Sequence, residues 1–174
     1  GFTLGASYGE DNYWDAALRY AGEFNGIRIA GAVGYSVWSE FNDDHGSLIC
    51  TSNCDKEVGQ LTGSLSIRHM PTGLFFTGAA GDRDVDADAV GGDFSARFFY
   101  LSGGLARNFF GLGDTVLYGE YSEWKGAAQD QFVDATSSDT LTHWGVGIVQ
   151  HVDAAAMEFW LAYKNYSLDG DCIV

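Results

Sequence analysis

The chain predicts an all-β fold, specifically a transmembrane antiparallel β-barrel, on three observations. Side chains alternate in character with period 2, short turns alternate with long loops, and aromatic residues gather near strand ends. The stretch Thr142–Tyr166 shows the first most plainly. Trp144, Val146 and Ile148, then Met157, Phe159, Leu161 and Tyr163, share one parity; His143, Gly145 and Gly147, then Glu158, Ala162 and Lys164, share the other. A strand sends alternate side chains to opposite faces, so one face is apolar and the other tolerates charge. The apolar parity restarts at Asp153–Ala156, which marks a tight turn between two strands.

Run along all 174 residues, the same test gives strands at about 2–8, 13–22, 27–38, 57–70, 74–82, 95–108, 115–125, 140–152 and 156–168. Most are longer than the roughly 5–6 residues usual in soluble domains, and they match the roughly 9–11 that a tilted strand needs to cross a bilayer. Trp14, Ala16, Leu18 and Tyr20 share a face in the second strand; Ile27, Ile29, Val33, Tyr35 and Val37 do so in the third. Leu61, Leu65 and Ile67, then Leu117 and Tyr121, continue the apolar set. Opposite lie Asp15 and Arg19, Arg28 and Ser36, Thr62 to Arg68 at even positions, and Tyr118 with Glu120. Phe75–Phe76 and Phe98–Phe99 put aromatics on both parities, so the faces of those two strands stay open.

Connections at 23–26, 71–73, 111–114 and 153–155 are short, whereas 39–56, 83–94, 126–139 and the segment after 169 are long and polar or acidic. Only Gly9–Asn12 is short where a long one is due. Short turns on one side and long loops on the other is the layout of an outer-membrane barrel. Tyr13, Trp14, Tyr20, Phe24, Trp38, Phe109, Phe110, Trp124, Tyr163 and Tyr166 fall near strand ends, as interfacial girdles require.

Composition agrees, with 24 Gly, one Pro and 15% aromatic residues against 19% charged. A formal charge of −15 argues strongly against nucleic acid as a partner, since phosphate backbones are held by clustered Lys and Arg. No apolar run reaches the ~18 residues of a membrane helix, and Gly1–Leu4 reads as strand rather than as a signal peptide. One domain spanning 1–174 is expected, with no linker or low-complexity tract. A soluble β-sandwich binding module is the competing explanation, because its core and solvent faces alternate in the same way.

Two phrases, YWDAALRYAGEFNGIRIAGAVGYS (13–36) and THWGVGIVQHVDAAAMEFWLAYKNYS (142–167), resemble the general porins of Gram-negative bacteria, in the alphaproteobacterial branch. That resemblance implies a sixteen-stranded barrel in the bacterial outer membrane. It also implies a homotrimer, with small hydrophilic solutes and ions diffusing passively through a water-filled channel. A porin chain ends on an aromatic residue, whereas this one stops at Asp171–Val174; the expectation is a fragment truncated at both ends. A barrel that works through its loops, in binding or adhesion, is the alternative within the membrane class.

A channel needs charges facing water rather than an acid or a nucleophile, and neither catalysis nor a cofactor is expected. The candidate pore-lining charges are Asp15, Arg19, Arg28, Arg68, Glu120, Glu158 and Lys164. Arg19, Arg28 and Arg68 lie on consecutive strands and suggest a basic strip that selects solutes by charge, with Arg19 diagonally close to Arg28. Alternatively they pair with Asp15, Glu120 or Glu158 and stiffen the wall. The candidate lipid-facing residues are Trp14, Leu18, Ile29, Val33, Leu65, Trp144, Ile148, Phe159 and Leu161, with outer-membrane lipid as their partner. Cys50 and Cys54, in CTSNC, suggest a local disulfide in an external loop, with zinc at His45 a distant alternative and Cys172 left over. Asp84, Asp86 and Asp88 have EF-hand spacing, but Ala89 and Ser95 break the motif, so solvated loop charge is the better reading and no metal is expected.

Overall fold

A computed structural model describes residues 1–10, 12–40, 56–87, 94–126 and 139–170. Among them, nine strands form one antiparallel sheet in chain order. They are β1 (Phe2–Tyr8), β2 (Trp14–Phe24), β3 (Ile27–Glu40), β4 (Lys56–His69), β5 (Leu74–Ala87), β6 (Phe94–Arg107), β7 (Thr115–Lys125), β8 (Thr140–Val152) and β9 (Met157–Asp169). Every strand pairs with its sequence neighbour, and the sheet is open, with β1 and β9 at its edges. The all-β antiparallel expectation therefore holds, and the strand bounds agree within a few residues except at β5. That strand continues through Asp84, Val85 and Asp86, which acidity had marked as loop. Pairing with β4 on one side and β6 on the other overrides the poor strand preference of Asp.

The turns follow their local chemistry. Asn25 (φ 51°) and Gly26 (φ 75°) both take the left-handed conformation that a two-residue hairpin turn needs to match strand twist. Between β8 and β9 a 3₁₀ turn, Asp153–Ala155, ends on Ala156 at φ 49° and ψ 41°.

Register makes the faces continuous across the sheet. Reading through the partners, Ile29, Ile67, Phe76, Gly103, Gly119, Val146 and Tyr163 form one row of a mainly apolar face. Arg28, Arg68, Phe75, Gly104, Tyr118, Gly147 and Ala162 form a row of the other, polar face. The open Phe pairs are thereby assigned: Phe76 and Phe99 are apolar-face residues, Phe75 and Phe98 polar-face residues.

No second layer covers the apolar face among the described residues. Leu4 is 77% exposed, Phe24 76% and Leu161 74%, and among the described residues the buried hydrophobic ones are Val58, Val85 and Ala106. Burying such a side chain is worth about 1.5–3 kcal/mol, so a face of this extent demands cover from an apolar phase or from another surface.

The apolar band crosses the strands obliquely. On β3 it runs from Ile27 to Val37, but on β9 it runs from Met157 to Tyr163, and Tyr163 stands level with Ile29. With about 3.3 Å per residue and about 4.8 Å between strands, its two edges slope at roughly 25° and 40° to the perpendicular of the strands. Beyond the band, toward the far end of each strand from these short turns, the faces exchange character. Glu57, Asp82, Asp84, Asp86 and Arg97 occupy the formerly apolar side, while Trp38, Val58, Val85, Phe98 and Trp124 occupy the formerly polar one.

Candidate functional site

The residues expected to line a pore, Asp15, Arg19, Arg28, Arg68, Glu120, Glu158 and Lys164, all fall on the polar face. Trp14, Leu18, Ile29, Val33, Leu65, Trp144, Ile148, Phe159 and Leu161 fall on the apolar one. Cys50, Cys54, His45, Asp88 and Cys172 lie outside the described residues.

The arginine strip is arranged differently from the sequence expectation. Arg28 stands directly opposite Arg68, and Glu23, not Arg19, faces Arg28 across the β2–β3 hairpin. Arg19 pairs in register with Ala32, about 13 Å further along the strand. Two like charges side by side are unfavourable unless each is compensated. Here Arg28 Nη2 lies 3.1 Å from Glu23 Oε2. Arg68 Nη2 donates to Asp114 Oδ2 at 2.9 Å and to the Ala106 carbonyl at 3.0 Å. Arg68 thus reaches over β5 to fasten β6 and the β6–β7 turn. Arg19 is exposed and makes no ion pair among the described residues. None of the three arginines uses Asp15, Glu120 or Glu158, the partners suggested by sequence.

Those carboxylates have other partners. The Ser7 and Tyr13 hydroxyls donate to Asp15 Oδ2, the latter at 2.9 Å. The neighbouring Asp15 carboxylate, through that hydrogen bond, holds the Tyr13 phenol above its ordinary pKa. Glu158 Oε2 lies 3.4 Å from His151 Nδ1.

Glu120 is the centre of a network that parity alone did not bring together. Its side chain is only 8% exposed, and Lys164 Nζ reaches its Oε1 at 2.9 Å. Tyr100 Oη donates to its Oε2 at 3.0 Å. His143 Nε2 lies 3.5 Å from the same Oε1, His143 Nδ1 lies 3.3 Å from Ser122 Oγ, and Tyr166 stacks on the imidazole with centroids 4.6 Å apart. Ser, His and Glu in a chain have the composition of a hydrolytic triad, yet the geometry serves another purpose. Ser122 is 3% exposed and its Oγ accepts from Trp124 Nε1 at 3.3 Å, while Tyr166 covers the ring of His143. A nucleophile needs room for an electrophile beside it, and this hydroxyl is enclosed. The network ties β6, β7, β8 and β9 together on the polar face.

Sequence reasoning placed Glu120 and Lys164 on one face and His143 in the polar class, but it did not join them. The available signal was Gly145 between flanking strands that carry opposite charges, and it becomes informative only with the register. No family model matches the chain, and no curated protein or solved structure is significantly similar to it.

Proposed function

We propose that this chain forms the wall of a water-filled β-barrel in the bacterial outer membrane, through which small hydrophilic solutes and ions diffuse passively. One observation carries the reading: a single sheet with one face apolar and, among the described residues, uncovered, and the other bearing hydrogen-bonded and ion-paired charge. Two media on the two sides of one layer satisfy both faces, whereas a β-sandwich needs a second sheet over the apolar one. The oblique band supports it too, since strands in membrane barrels tilt by roughly 35–45° and the apolar zone must stay level with the bilayer. The resemblance to general porins supports the channel and a trimeric assembly.

In this barrel, Arg28 and Arg68 are neutralised by local carboxylates, so Arg19 carries the strip's uncompensated charge. The test is the purified protein in a planar bilayer separating unequal salt solutions. Stepwise conductance is expected, with Arg19→Gln moving the reversal potential toward cation preference by more than Arg28→Gln or Arg68→Gln. Folded, inserted protein that carries no current overturns the channel and leaves the loops as the working part.

A further inference from the structure

We propose that a hollow on the polar face, spanning β2 to β4, holds a short zwitterionic peptide of two or three residues, with its terminal carboxylate on Arg19 and its terminal ammonium on Asp15. The inference rests on the barrel reading, which turns this face toward the lumen, and it names a class of solute that pauses there.

The hollow has a volume of about 290 Å³, and Asp15 and Arg19 both line it. They lie four residues apart on one face of β2, so about 13 Å of strand separates them. That exceeds the screening length of about 8 Å at physiological salt, and neither charge neutralises the other. Arg19 is exposed and has no ion pair among the described residues, so the donors of its guanidinium are open to an anion. Asp15 is engaged through one oxygen: the Ser7 and Tyr13 hydroxyls both donate to Oδ2, which leaves Oδ1 to accept from a ligand. Arg83, the next cation along the Asp15 row, stands over the Trp38 ring, 5.5 Å from its centroid.

Register supplies the floor between the charges. Asp15, Ser36 and Gln60 form one row across β2, β3 and β4, and Arg19, Ala32 and Ser64 form another. In the row between them Ala17 adjoins Gly34, so the floor is lowest midway. On the β4 side Gln60 Nε2 donates to Thr62 Oγ1 at 3.2 Å. The Gln60 carbonyl is left as an acceptor, and the Thr62 and Ser64 hydroxyls as donors. A peptide backbone brings one N–H and one C=O per residue to meet them. Two or three residues, fully extended, span about 7–11 Å, and the reach of the Asp15 and Arg19 side chains covers the rest. A free amino acid meets only one of the two charges, and a peptide blocked at either end loses one of its two charge-assisted contacts.

The test is calorimetric titration of the intact protein in detergent micelles with trialanine, N-acetyl-trialanine, trialanine amide and alanine, beside conductance in planar bilayers. Trialanine is expected to bind at least about tenfold more tightly than the other three, the loss of one hydrogen-bonded charge. Arg19→Gln should bind trialanine no better than its amide, and Asp15→Asn should bind it no better than its N-acetyl form. Arg19→Lys, which keeps the charge, should retain the preference over the amide. Far-ultraviolet circular dichroism checks that the variants keep their strands. No binding of trialanine by the native protein, equal binding of the three tripeptides, or discrimination against the amide that survives Arg19→Gln overturns the proposal. Failure of the channel reading is separate, because the titration needs no current: it appears as inserted protein that does not conduct, whichever peptides bind.

Discussion

Lys164 reaches Glu120 across a strand to which neither belongs. The intervening residue on β8 is Gly145, where a Cβ would stand 3.0 Å from Glu120 Oε1 and 3.3 Å from Lys164 Cγ. The missing side chain is thus what permits the ion pair to span β7 to β9. Glu120 is almost enclosed while Lys164 remains 42% exposed, so the two partners are unequal. Removing the lysine leaves an enclosed carboxylate with only Tyr100 and His143 beside it; removing the carboxylate returns an accessible ammonium to water. Breaking a pair from the exposed side is costlier than deleting both. Lys164→Met is expected to destabilise by about 1–3 kcal/mol, discounted from the fully buried case for the exposure of Lys164. Glu120→Gln/Lys164→Met should cost less than Lys164→Met alone. Urea unfolding of the four members of this cycle in detergent measures it, and simple additivity would remove the enclosed pair from the account.

At the scale of the element, the hairpin joining β8 to β9 closes on Ala156, whose φ of 49° and ψ of 41° place a Cβ in the left-handed region. An L side chain there costs roughly 1–2 kcal/mol relative to the right-handed conformation, and glycine removes the clash while adding entropy to the unfolded chain. Ala156→Gly should therefore raise stability, by about 0.5–1 kcal/mol, read as a higher unfolding midpoint; a lower midpoint would show the strain relieved elsewhere. Turns of this kind are legible in sequence because their chemistry is local, and so are strands such as β3 and β8, whose period-2 pattern is self-contained. Three features were not legible, each for a non-local reason. Phe98 and Phe99 obey either parity until pairing with β5 and β7 decides between them. Asp84 and Asp86 look like loop until partners on β4, and for Asp84 also on β6, extend the ladder. His143 joins Glu120 only through the registers of β7 and β8, which fix the separation of residues far apart in the chain.

For the whole molecule, the slope of the apolar band and the exchange of face character above it describe one geometry. Strands that lean within a bilayer carry their apolar zone along a level line, so the zone climbs from strand to strand when measured along the chain. On the barrel reading proposed above, the outward side beyond the hydrocarbon would meet water, in keeping with Glu57, Asp82 and Asp84 on that side, while Val58 and Val85, both fully buried, lie on the other. Tryptophans sample this layout naturally. Trp14 and Trp144 lie on the apolar face, and Trp38, Trp124 and Trp160 on the other. Trp14 is level in register with Val37, and Trp144 is level with Gly31. That offset is roughly 20 Å along the strand direction. Upright strands would place the two indoles at depths differing by that amount, but a lean of roughly 35° over the six strand spacings from β2 to β8 cancels it. Single-tryptophan variants in bilayers of lipids brominated at graded depths separate the cases. Equal, shallow depths are expected for Trp14 and Trp144, with weak quenching of Trp38, Trp124 and Trp160. Depths some 20 Å apart would mean that the strands stand upright and that the band's slope has another origin. Strong quenching of Trp124 would mean that the polar face, not the apolar one, meets lipid.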